Sequence, residues 1–359
     1  MIPIDEYDII AAFKRIEDEL IASMIRNMAR HKVEEAAEGL NWSMWQVEQL
    51  KALEKYKQVN SRKYGSQFAD MNRQIEALIR DCRLRGGMKQ EKKILQAIRR
   101  GYKVRGKNGT PANNALESKF FRLNERKLET LIQATTRDMQ KAETAILRMA
   151  NDQYRKVIYN AQVYANAGGT TYEKAVDMAT KDMLSAGLNC VEYANGARHT
   201  LPDYADMAIR TANKRAYLQG EGEKRQEWGI ATVIMNKRGN PCPKCLPWVG
   251  KVLIDDVWSN GDKDDGKYPL MSYAISKGLY HPRCKDTHTT YFPGISTAAD
   301  TWTQEEIKAI EEENHKEIKQ QHAARQAAKY TRLAEGSLDK DNKATYLVLA
   351  EKWRKEARD

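Results

Sequence analysis

Two short turns, Cys242-Pro-Lys-Cys245 and His281-Pro-Arg-Cys284, constrain this chain more than any other feature of it. Each sets two soft or borderline donors two residues apart, and 36 positions separate Cys245 from His281. If both turns grip one ion, the segment between them must close into a loop, whatever the rest of the chain does. Zinc takes four such donors in a tetrahedron, and paired knuckles of this spacing are the usual way to supply them. Three of the five cysteines lie here, while Cys82 and Cys190 stand alone. The cysteine count is odd and the amino terminus lacks the basic start and apolar run of a signal peptide, so a disulfide framework is not expected. The expectation is a structural zinc held by Cys242, Cys245, His281 and Cys284. The competing reading is a set of reduced cysteines on turns beside an unrelated histidine. His288 is a fifth candidate donor, but the His-x-x-Cys spacing favours His281.

Three cysteines and one histidine close the tetrahedron, whereas a catalytic zinc keeps one position open for water. Pro241-Cys242-Pro-Lys-Cys245 matches the P-C-x-x-C half of the zinc deaminases, yet neither histidine before it, His31 or His199, has a glutamate two positions on. A redox Cys-x-x-Cys would need a thioredoxin-like βαβ pattern, which is missing. The corner therefore reads as a staple.

The remainder is read as mainly helical. Ile9, Phe13, Ile16, Leu20, Met24 and Met28 recur at three- and four-residue spacing. Further helices are expected in "SMWQVEQLKALEKYKQV" and "FADMNRQIEALIRDC". Over 124–166, Leu128, Thr135, Ala142 and Met149 lie seven apart, as do Ile132, Met139 and Ile146, the seam of a long helix packed on a neighbour. Gly168-Gly169 should end it. "TYEKAVDMATKDML" and "DYADMAIRTANKRAYLQGEGEKRQEWG" read as helices, and β-branched "IATVIMN" with "GKVLIDDVW" as strands of a small α+β unit. Thr303 and Glu306 have capping-box spacing at the start of a charged helical tail that turns at Gly336-Ser337. The expected architecture is thus mainly α with a small α+β zinc-stapled module. It divides into a long-helix amino-terminal domain (1–167), the α+β core with the zinc site (168–296) and a helical hairpin tail (297–359).

Charge is unevenly spread. Of the net +11, nine come from residues 83–107, where Arg83, Arg85, Lys89, Lys92, Lys93, Arg99, Arg100, Lys103, Arg105 and Lys107 face a single acid, Glu91. Gly86-Gly87 and Gly101 are expected to bracket a short helix there, with Ile94, Leu95 and Ile98 as its buried face. Such a surface suits DNA phosphates or an acidic partner protein, against the plainer reading of a solvated helix. Only Tyr102 is interleaved, which gives little support to base stacking. No stretch approaches eighteen apolar residues, so no membrane partner is expected, and nothing points to a small-molecule substrate.

The blocks "NPCPKCLPWVGKV" and "YPLMSYAISKGLYHPRCKDTHTTYFPGI" resemble the carboxy-terminal core of the minor capsid protein 2 family of tailed bacteriophages and prophages. The resemblance extends through "DYADMAIRTANKRAYLQGEGEKRQEWGIATVI" and into the helical half at "WSMWQVEQLKALEKYKQVN". Many relatives carry Cys-Arg-His after the second knuckle; here the positions read Cys284-Lys285-Asp286. The resemblance implies a virion component, in the host cytoplasm during assembly, that meets the portal and other head proteins. Its work would be head assembly, DNA packaging or ejection, with non-specific contact to packaged duplex DNA. No catalysis is expected. The alternatives are a DNA-processing enzyme with a structural zinc module, and a toxin-type effector such as an ADP-ribosyltransferase. Arg210-Thr211 and Glu221-Gly-Glu223 echo the latter only faintly.

Overall fold

The structure is a computed structural model that describes residues 5–38, 42–103, 118–166, 171–193, 195–237, 241–298 and 302–358. It is mainly helical with small sheets. The helices are α1 (Glu6–Glu38), α2 (Trp42–Arg99), α3 (Ser118–Asn166), α4 (Tyr172–Ala186), α5 (Leu201–Glu227), α6 (Met271–Ser276), α7 (Gln304–Gly336) and α8 (Lys340–Glu356). The strands are β1 (Val191–Glu192), β2 (Arg198–His199), β3 (Thr232–Met235), β4 (Val252–Ile254) and β5 (His288–Thr290). The break expected at Gly168-Gly169 lies outside the described residues.

The second and third expected helices and the short basic helix are one continuous helix, α2, of 58 residues. Gly86-Gly87 do not interrupt it. A Cβ on Gly86 would lie 2.2 Å from the Tyr217 carbonyl oxygen, and one on Gly220 would lie 1.9 Å from that of Arg83. These glycines let α2 and α5 cross with their backbones in contact, a use that carries the same local signature as a helix break. The buried face of the basic stretch also differs from expectation: Ile94 and Ala97 are buried, Ile98 is partly covered and Leu95 is exposed. Ile94 and Ala97 pack with Ile230 and Phe292.

The chain forms two compact units, one of residues 1–73, 138–206 and 316–359, the other of 74–137 and 207–315. In the first, the α1 stripe is buried at Ile9, Phe13, Ile16, Leu20, Met24 and Met28. Tyr56 donates to the Leu20 carbonyl at 2.9 Å and Tyr154 to Gln49 Oε1 at 3.0 Å, so these two buried hydroxyls find partners across helices. The α8 start is capped twice over. Asp339 accepts from the Asn342 amide, and Asp177 of α4 accepts from the Leu338 and Asp339 amides and from the Asn342 side chain.

The second unit holds a three-stranded antiparallel sheet in the order β4-β3-β5, with Val233 opposite both Leu253 and Thr290. One core of Val233, Met235, Cys245, Trp248, Leu253, Met271, Ala274 and Leu279 fills one region of this unit. The α7 start carries the expected capping box: the Thr303 amide donates to Glu306 Oε2 at 2.7 Å, and the Glu306 amide to Thr303 Oγ1 at 3.2 Å.

Candidate metal centre

Sheet topology brings the two knuckles together. The first follows β3 and precedes β4; the second precedes β5. Because both pairings are antiparallel, with Ile234 opposite Val252 and Met235 opposite His288, the chain leaves β3 and enters β4 and β5 at one end of the sheet. Each knuckle is closed by the same backbone bond, Cys245 N–H to the Cys242 carbonyl at 3.0 Å and Cys284 N–H to the His281 carbonyl at 2.9 Å. Arg283 completes the second turn at φ +64°, a left-handed conformation that costs a non-glycine residue about 1 kcal/mol or more.

The donors converge in two overlapping groups, Cys242–Cys245–His281 and Cys245–Cys284–Asp286, each with its ligand atoms within 4.8 Å of one another. Cys242 Sγ lies 3.0 Å from His281 Nε2, and Cys245 Sγ lies 3.5 Å from Cys284 Sγ. A tetrahedral ion with sulfur bonds of ~2.3 Å would hold its sulfurs roughly 3.8 Å apart, so the Cys245–Cys284 pair fits a shared ion after a shift of tenths of an ångström, while drawing both donor groups onto one ion takes a larger one. The histidine is oriented for the task. Its Nδ1 lies 2.8 Å from the Pro282 carbonyl, which can only accept, so the proton sits on Nδ1 and the lone pair of Nε2 faces Cys242.

Electrostatics within the group follow from the two thiols. The hydrogen bond between the two thiols is the main cause that holds Cys284 down at about 7, and the same bond, with burial, pushes Cys245 up. One proton is thus shared where a cation would bind both sulfurs as thiolates. Asp286, buried and 3.8 Å from Cys284 Sγ, went unnoticed in the sequence. Its position two residues past a knuckle cysteine was the available signal. The Asp286 backbone carbonyl accepts from Lys214 Nζ of α5 at 2.7 Å, and the Arg283 amide donates to Thr211 Oγ1 at 3.4 Å, so α5 buttresses the second knuckle.

His288 is engaged elsewhere. Its Nε2 lies 3.0 Å from Arg225 Nη2, a donor only, so Nδ1 carries the proton and donates to Tyr280 Oη at 2.6 Å. Burial first, then the nearby charges of Arg225, Lys214 and Lys93, hold the imidazole well below its ordinary pKa. Arg225 itself is fully buried. It pairs with Asp255 at 2.8 Å and donates through Nε to Ser259 at 2.9 Å, and Asp255 in turn accepts from the Val257 and Trp258 amides. This network ties α5 to β4 and β5 behind the knuckles, and the charged run around Arg225 gave no sign of it. The chain's His-x-Glu, His315-Lys316-Glu317, sits on α7 and belongs to neither donor group.

The basic residues divide by use. Arg83 binds Glu223 at 3.0 Å and Glu125 at 2.5 Å, and Lys93 pairs with Glu221 at 3.4 Å. Arg85 is exposed and bonded to Asp81. Lys89, Lys92, Arg99, Arg100 and Lys103 are exposed, while Arg105 and Lys107 lie outside the described residues. Among the described residues no helix is long and apolar enough to cross a membrane.

No curated protein and no solved structure matches the chain. The family model described as phage minor capsid protein 2 matches residues 6–357. With nearly the whole chain covered, this protein belongs to the phage minor capsid protein 2 family.

Proposed function

We propose that this chain is a structural head protein that works beside the portal in head assembly, DNA packaging or ejection. The match over residues 6–357 carries the reading. Within it, Cys242, Cys245, His281 and Cys284 hold a structural zinc, with the Asp286 carboxylate 3.8 Å from Cys284 Sγ. Bound there, zinc would cross-link the end of the sheet; in small metal domains such sites contribute on the order of 10 kcal/mol to folding. The carboxylates that echo transferase chemistry are spent on packing instead: Glu223 binds Arg83 and Gln219, and buried Glu221 binds Lys93. The exposed basic residues of α2 offer a surface for DNA phosphates or for an acidic face of another head protein. Fractionation of assembled heads tests the assignment. The chain should remain with the portal through mild disassembly; heads that mature, package DNA and eject it without the chain would overturn the reading.

A further inference from the structure

A cavity of about 540 Å³ opens in the second unit among α2, α5 and the β3 and β5 ends. Four lysines line it: Lys89 and Lys93 from α2, Lys214 from α5 and Lys237 just past β3. Two of these, Lys214 and Lys237, lie far in sequence from the basic stretch. Glu221 is the one carboxylate in the lining, and His288 forms part of its wall. Each ammonium has a neighbour that helps to place it. Lys93 is held by Glu221 at 3.4 Å, Lys214 by the Asp286 carbonyl at 2.7 Å, and Lys237 by Glu306 at 2.9 Å; Lys89 sits 5.8 Å over the Tyr217 ring. An ammonium carries three donors, so Lys93, with its one bond to Glu221, and Lys89, over a ring, keep hydrogens for a ligand.

We infer that this cavity is a binding site for a phosphate monoester dianion, either free or at the end of a nucleic-acid strand. Among the described residues the four ammonium groups stand against the lining carboxylate of Glu221 and the Glu306 that pairs with Lys237, an excess of two positive charges, which a dianion with several acceptor oxygens balances better than a monoanion does. Shape separates this site from the outer surface of α2. Treated as a cube, 540 Å³ is about 8 Å on a side, narrower than even the ~12 Å major groove of a duplex, so a strand end or small anion enters and a duplex flank does not. Lysine suits the role because it contributes point charge without demanding a planar, two-point contact.

The test compares two otherwise identical short labelled strands, one with a 5′-phosphate and one with a 5′-hydroxyl, with pyrophosphate as competitor and as a calorimetric ligand. The phosphorylated strand should bind about tenfold more tightly, with pyrophosphate displacing it. Stoichiometric pyrophosphate binding with no preference between the strands would support the site and assign it to free anions. Lys214→Gln should weaken pyrophosphate binding about tenfold; because that lysine also braces the second knuckle, Lys89→Gln, which removes no buried partner, should be made beside it and do the same. No pyrophosphate binding, or undiminished binding in both variants, would overturn the proposal. A duplex with hydroxyl ends reports the outer surface of α2 separately, so failure there leaves this site standing.

Discussion

A Cβ added to Gly220 would fall 1.9 Å from the carbonyl oxygen of Arg83, closer than any side-chain carbon can approach backbone. Gly220→Ala must therefore push α5 off α2, and the obstacle is backbone that no rotamer change can relieve. Loss of 3 kcal/mol or more is expected, at the upper end of single-residue effects. Gly65, in the same α2, meets nothing within 4 Å. There, Gly65→Ala should stabilise by about 0.5–1 kcal/mol, because it removes unfolded-state freedom without a clash. Thermal melts of the two variants check the pair; a Gly220→Ala chain that melts with the wild type would mean the crossing is looser than described.

The pair also shows where the sequence stops speaking. Gly86-Gly87 looked like punctuation, and only Tyr217 and Gly220 on a distant segment decide that they are a crossing. The meeting of residues 242, 245, 281 and 284 was legible because ligand spacing is local, and so were the α1 stripe and the Thr303–Glu306 cap. Asp286 and the Arg225–Asp255 pair were not, since a buried charge is recognised by the partner that folding brings to it. Leu95 was misassigned for a related reason: Ala97, smaller and less conspicuous, is what faces Ile230 and Phe292.

Two buried carboxyls give the first unit a pH dependence. Burial is the main cause that raises Glu17 to about 7, against the opposing bond from the Leu188 amide at 2.7 Å, and burial likewise raises Glu143 to about 7 against its bonds from Asn72. In each case the folded state holds a proton that the unfolded chain releases from about 4.5 upward. Stability from these groups is therefore greatest below pH 4.5 and declines as pH rises toward 7, by on the order of 3 kcal/mol for Glu17. Glu143→Gln should raise the melting temperature at pH 8 by several degrees and leave it nearly unchanged at pH 5. An equal shift at both pH values would contradict the assignment.

Metal content should separate the two histidines. Purified chain should carry close to one zinc, lost in Cys245→Ser and Cys284→Ser and kept in Cys82→Ser. His281→Ala should weaken retention against a chelator by 10-fold or more. His288→Gln should retain zinc while lowering the melting temperature, because it breaks the contacts to Arg225 and Tyr280 and touches no ligand. Zinc lost with His288 and kept without His281 would reverse the ligand set.

The outer surface of α2 makes a different kind of prediction, because its residues no longer count equally. Arg83 and Lys93 are committed to Glu223 and Glu221, so neutralising them would unbalance buried acids before it altered any DNA contact. Lys92, Arg99, Arg100 and Lys103 are exposed and lie toward one end of α2 or just past it. If they meet duplex phosphates, binding should be indifferent to sequence and fall steeply with salt, each contact adding roughly 0.9 to the log–log slope. Changing all four to alanine should flatten that slope by about three to four, and the fold should survive because Ile94 and Ala97 keep their packing on Ile230 and Phe292. If the same charges dock instead on an acidic face of the portal, the quadruple variant loses portal association while its duplex affinity stays as it was. Titrating wild type and variant against both partners across a salt series distinguishes these, and a variant unchanged in both assays would make this stretch a solvated helix end with no partner.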